Sequence, residues 1–112
     1  GTVHTEAFNH MIGTQKAGQL MVSNFATEFH TYAVDWKEGQ MDFYIDGQHY
    51  FTFKNSGNGY QEWPFDQPFY LILNLAVGGN WGGKEGVDAS IWPQRMEVDY
   101  VRVYKQNPQL HP

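Results

Sequence analysis

Apolar and polar side chains alternate over several short stretches of this chain, a period of two that predicts strands and not helices. Near the N terminus Val3, Thr5 and Ala7 alternate with Thr2, His4 and Glu6, giving a strand over residues 2–8 with one polar face. Residues 30–37 and 41–46 repeat the pattern. Tyr32, Val34 and Trp36 point one way from the first, and Met41, Phe43 and Ile45 one way from the second. Two such faces make a core. Between FYI and QHYFTF lies Asp46-Gly47, a hairpin signal, because a two-residue turn needs positive φ at positions that Gly adopts freely and Asp tolerates. Residues 19–23 predict another short strand, and residues 95–105 a closing strand with Met96, Val98, Tyr100 and Tyr104 on one side.

Residues 68–83, PFYLILNLAVGGNWGG, break the alternation. Tyr70, Leu71, Ile72, Leu73, Leu75, Ala76 and Val77 leave no wet face, which predicts a strand covered on both sides. An unpaired buried amide costs about 1–3 kcal/mol, so Asn74 either bonds inside the protein or faces a polar groove. The glycine-rich turn that follows carries Trp81, and the pair is expected at the edge of a cleft. Loops are predicted at residues 8–18, 55–59 and 78–86 from their Gly, Asn and Ser content, and Pro64 and Pro68 bracket a turn. The one helix candidate, residues 24–28, is too short to stand alone.

With 112 residues the chain suits one hydrophobic core, expected as a single β-sandwich over residues 1–105 with a polar tail over 106–112. About six or seven strands are expected on this reading. The formal charge of −5, without a Lys/Arg cluster, argues against nucleic acid and anionic membranes as partners. No run approaches the roughly 20 apolar residues of a membrane helix, and the first residues show no signal-peptide pattern. The absence of cysteine removes disulfides and thiolate metal sites and leaves the compartment open.

Candidate chemistry is sparse. The local carboxylate pairs are Asp35 with Asp42, Glu85 with Asp88, and Glu97 with Asp99; only the last has strand spacing, on a face opposite Met96, Val98 and Tyr100 that reads as solvated. His4 and Glu6 read as a hydrogen-bonded pair on a polar sheet face, with an acid–base pair or half a metal site as the alternative. The histidines lack His-x-x-x-His spacing, Ser23, Ser56 and Ser90 lack a nucleophile elbow, and the Gly78–Lys84 stretch lacks the ending of a phosphate loop. Trp81 reads equally as a sugar-stacking platform or as a ring folded back on the sheet. Alternation and the neighbouring Pro93 assign Trp36 and Trp92 to the core; Trp63 could serve either role.

GTVHTEAFNHMIGTQKAG, FHTYAVDW, FYIDGQHYFTF, WPFDQPFYLILNLAVGGNWGG and WPQRMEVDYVRVY, in this order over nearly the whole chain, resemble the C-terminal half of a bacterial family-16 glycoside hydrolase of the laminarinase type. The resemblance implies an all-β, concanavalin A-like jelly roll, here a partial sandwich of antiparallel strands completed by oligomerisation through exposed strand edges. It implies retaining endo-hydrolysis of β-1,3-glucan in the parent enzyme without an organic cofactor, and a secreted location. Thr2 and His4 take the place of cleft residues beside the catalytic strand, and with Asn74 and Trp81 they are the candidate glucan contacts. Asp99 matches an aspartate that binds calcium in the family. The catalytic signature Glu-x-Asp-x-x-Glu is absent, and the sequence starts at the glycine of the segment that follows it, so the expectation is a fragment with little or no activity of its own. A non-catalytic glucan-binding module and a purely self-assembling fragment are the alternatives, with residual hydrolysis through Glu6, Glu97 or a carboxylate supplied across an oligomer interface behind them.

Overall fold

The computed structural model describes residues 1–107 and divides into two compact units, Gly1–Tyr70 and the chain from Leu71 onward. The first unit holds every strand found among the described residues. β1 (Thr2–Val3) pairs antiparallel with β2 (Lys16–Ala17), and β3 (Tyr32–Trp36), β4 (Gln40–Ile45) and β5 (Gln48–Lys54) form an antiparallel sheet in that order. The fold class is all-β, as the patterning predicts. Asp46 and Gly47 turn β4 into β5 with φ of 52° and 79°, both positive as a twist-matched hairpin requires.

Register decides which side chains meet. Val34 faces Phe43, which faces Phe51, and Trp36 faces Met41, which faces Phe53. The apolar side of the sheet packs into a small core of Val3, Met41, Phe53 and Trp63, with Phe8, Phe43, Phe51 and Phe65 against it. Phe53 is its centre: Trp63 stacks on it with centroids 5.4 Å apart, and Phe8 and Phe65 meet it edge-on. The edge strand β3 lies outside this core, with Val34 and Trp36 half exposed.

The β4–β5 ladder has a bulge. Phe43 pairs with Phe51 and Tyr44 with His49, so Tyr50 is an extra residue. The insertion resets the phase of β5 and brings His49 to the same side as Thr52, three positions on.

Several predicted elements differ. The short strand expected at residues 19–23 is replaced by β2 earlier in the chain, and the loop at residues 78–86 contains one helical turn, α1 (Gly79–Gly82). Trp63, left open by the sequence, is 4% exposed, whereas Trp36 and Trp92, expected in the core, are 45% and 40% exposed. Alternation tells which face a ring takes but not how much covers that face. Trp36 instead caps the rim, donating its indole N–H to the Phe65 carbonyl at 3.0 Å and meeting Phe69 edge-on.

The largest departure lies in the second unit. Residues 71–77 and 95–105 form no strand, and Ile72 and Tyr104 stand 73% and 80% exposed. A strand exists only against a hydrogen-bonded neighbour, and no such neighbour is present among the described residues of this unit. The tail expected at residues 106–112 lies mostly outside the described residues.

Candidate functional site

Alternation in the N-terminal segment places Val3 and Thr5 inside and leaves Thr2, His4 and Glu6 exposed on one face, as the sequence predicts. Thr5 is buried but satisfied, its hydroxyl accepting from the Phe8 amide at 3.0 Å. The following loop folds back on this face. Thr14 Oγ1 donates to the Ala7 carbonyl at 2.6 Å and accepts from the Asn9 amide at 3.0 Å, while Asn9 Oδ1 accepts from the Met11 amide. This lattice sets the His10 ring edge-on to His4, with centroids 5.3 Å apart. Thr2 and His4, two of the predicted glucan contacts, therefore share one exposed face. No hydrogen bond joins His4 to Glu6, so the pairing expected of them is not formed.

Asn74 and Trp81, the other two, belong to the second unit. Asn74 is exposed, and its amide meets solvent instead of the buried groove that an all-apolar strand would impose. Trp81 sits in α1 between glycines and is 91% exposed, so its ring is not folded back. Gly78 and Gly79 enter the turn with φ of 69° and 81°, a left-handed backbone that β-branched residues avoid. Asp99 is exposed as well. Among the described residues no three histidine, aspartate or glutamate side chains converge to hold a metal ion, so Asp99 stands without a second carboxylate or imidazole cluster around it.

The best-built polar cluster lies on the other face of the three-stranded sheet. Asp42 is 6% exposed and accepts from Thr52 Oγ1 at 2.5 Å and from Gln40 Nε2 at 2.8 Å. Thr52 has one hydroxyl hydrogen, spent on Asp42, so its oxygen accepts from His49 Nε2–H at 2.6 Å. Lys37 Nζ lies 3.0 Å from Asp35 and 3.8 Å from Asp42, a lysine between cross-strand carboxylates. The Thr52 and Gln40 hydrogen bonds hold the Asp42 carboxyl below its ordinary range, and the hydrogen bond to Asp35 raises Lys37. A carboxyl kept ionised this way is a poor proton donor. Sequence spacing paired Asp35 with Asp42 but missed Gln40, His49 and Thr52; the Asp46-Gly47 hairpin was the signal that fixes the rung, whereas the bulge had none.

A second clamp closes the hairpin. Asp46 Oδ2 lies 2.6 Å from His30 Nδ1, and Asp46 Oδ1 accepts from the Thr31 amide at 2.8 Å. The shared hydrogen bond raises His30 and lowers Asp46.

Because Asp42 is depressed in the folded chain, its contribution to stability is complete above its unfolded value of about 4 and is lost as pH falls through the folded value. Asp42→Asn is expected to lower stability at neutral pH and to flatten the decline below pH ~4. Urea midpoints measured from pH 7 down to pH 3 check this; an unchanged acid slope would remove Asp42 from the account.

Comparison with known proteins places this geometry in a family. The profile of Glycosyl hydrolases family 16 matches residues 1–102. The chain belongs to glycosyl hydrolase family 16. This family-16 chain is 46% identical over 110 residues to a β-glucanase of Rhodothermus marinus, covering 94% of the chain but 38% of that protein. Its structure resembles that of the laminarinase from R. marinus with a TM-score of 0.80 at 45% identity, over 83% of this chain and 39% of that one. It also resembles SCLam, a non-specific endo-β-1,3(4)-glucanase of the family, in a mutant co-crystallised with 1,3-β-D-cellotriosyl-glucose, with a TM-score of 0.77 at 47% identity, over 83% of this chain and 36% of that one. The family-16 chain thus spans about two fifths of the length of the relatives it matches. Its fold class is that of a partial jelly roll, the fold of these laminarinase neighbours.

Proposed function

We propose that this chain forms the supporting wall of a β-1,3-glucan cleft in a laminarinase-type glucanase and leaves bond cleavage to carboxylates it does not contain. The observation that carries this reading is the likeness to the R. marinus laminarinase at 45% identity with a TM-score of 0.80. Retaining hydrolysis needs two carboxyl groups about 5–5.5 Å apart, one protonated to act as the acid. Within this chain Asp42 is held ionised by its hydrogen bonds, and the Glu-x-Asp-x-x-Glu pattern does not occur. Thr2 and His4 of the first unit offer a hydroxyl and an imidazole to glucan, Asn74 and Trp81 of the second unit, taken by itself, offer an amide and a ring, and a secreted location fits that substrate.

The same reading includes self-association of copies through exposed edges. β3 and β5 are edge strands whose outer backbone groups are available to a second copy, and Leu71, Ile72 and Leu73 are at least 60% exposed.

Affinity electrophoresis through laminarin-containing gel tests the glucan contact. The chain is expected to be retarded, and Trp81→Ala to weaken retention about tenfold, since removing a large apolar group from a contact costs about 1.5–3 kcal/mol. Equal mobility with and without laminarin would refute the binding role.

A further inference from the structure

The exposed imidazoles of His4 and His10 form a second kind of site on the N-terminal face. We infer that they bind one first-row transition-metal ion, Cu²⁺, Ni²⁺ or Zn²⁺, as a two-histidine site with its other positions open to water. Their centroids are 5.3 Å apart. Two imidazoles on one tetrahedral ion, with metal–nitrogen bonds of about 2.0–2.1 Å, place their centroids about 5 Å apart. The observed separation of 5.3 Å is close to that value. The rings stand at 88°, and rotation of an exposed imidazole about its Cβ–Cγ bond turns its nitrogens while leaving its centroid nearly fixed.

The backbone on both sides is held before any ion arrives. Next to His4, the Thr5 amide donates to the Phe8 carbonyl at 2.7 Å, and Ala7 is tied to the Gln61 carbonyl at 2.8 Å. Next to His10, Asn9 is bound through Thr14 and its own Asx turn, and the Gly13 amide donates to the His10 carbonyl. Little ordering is left for the ion to impose. Neutral imidazole suits Cu²⁺, Ni²⁺ and Zn²⁺ and not Mg²⁺, and affinity is expected to rise from Ni²⁺ to Cu²⁺. The six-residue spacing of His4 and His10 carries no ligand signature, because the loop between them makes the pair.

Substoichiometric Cu²⁺ added to the 112-residue chain, followed by NMR of the ring protons of its five histidines, tests the site. The expected result is broadening of His4 and His10 before His30 and His49, with Mg²⁺ without effect. In isothermal titration with Ni²⁺, His10→Ala is expected to weaken binding at least tenfold and His49→Ala to leave it unchanged. Broadening first at any other histidine, or equal Ni²⁺ affinity in His10→Ala and the parent, would overturn the assignment. The wild-type NMR result decides the matter even where a variant folds poorly.

Discussion

Phe53→Ala is expected to unfold most of the first unit at room temperature or leave it barely stable. Phe53 is 6% exposed and touches Phe8, Trp63 and Phe65, so truncation empties the middle of the core. A buried Phe→Ala change costs about 3–5 kcal/mol. A unit the size of Gly1–Tyr70 has roughly 4–10 kcal/mol in all. Among the described residues no side chain falls below 2% exposure, so little surrounding packing exists to absorb the loss. Urea denaturation followed by tryptophan fluorescence checks this, because Trp63 stacks directly on the deleted ring. A loss below about 1 kcal/mol would mean that the core lies elsewhere.

Gly18→Ala carries the second large effect, by overpacking. A Cβ at position 18 would lie 2.4 Å from Phe51 Cβ, 2.7 Å from Cγ and 2.9 Å from Cδ1. The closest of these atoms is fixed to the β5 backbone, so no rotamer of Phe51 relieves the clash. Either β5 moves or the end of β2 lifts away. Lifting breaks the pair of hydrogen bonds that Gly18 exchanges with Gly1, at 3.0 and 3.1 Å. The expected cost is about 1–3 kcal/mol. Gly39→Ala is the control, since Gly39 has open space around its Cβ direction and no left-handed φ. Equal stability of the two variants would show that β2 does not pack on Phe51.

Residues whose partners are close in sequence were readable without coordinates. Alternation placed Val3 and Thr5 inside and Thr2 and His4 outside, and Asp46-Gly47 fixed the β4–β5 turn, because a strand face and a hairpin are set within a few residues. Residues 70–77 show the limit. Their apolar run states that cover is required, but a strand also needs a ladder neighbour, and none is present among the described residues of the second unit. Trp36 and Trp63 were hard to rank for a related reason: period gives direction, whereas depth depends on what lies on top. The Asp42 cluster stayed hidden because the extra Tyr50 brings His49 and Thr52, three apart, to one side. His4 and His10 meet through a loop whose fold depends on Thr14 and Asn9, information that no ligand spacing encodes.

The relatives give the family, while the chemistry of this chain rests on which carboxylates it contains. Asp42 and Asp46 serve structure, one holding the rung of the sheet and the other the hairpin. Glu6 and Glu97 lie exposed, and Glu97 is paired with Arg95 at 2.9 Å.

The most direct measurement is release of reducing sugar from laminarin by the purified chain, with its oligomeric state read by light scattering in the same sample. The account predicts a defined oligomer and no release above the uncatalysed background. Release that disappears in Glu6→Gln or Glu97→Gln would contradict it, since the chain's own carboxylates would then carry the hydrolysis.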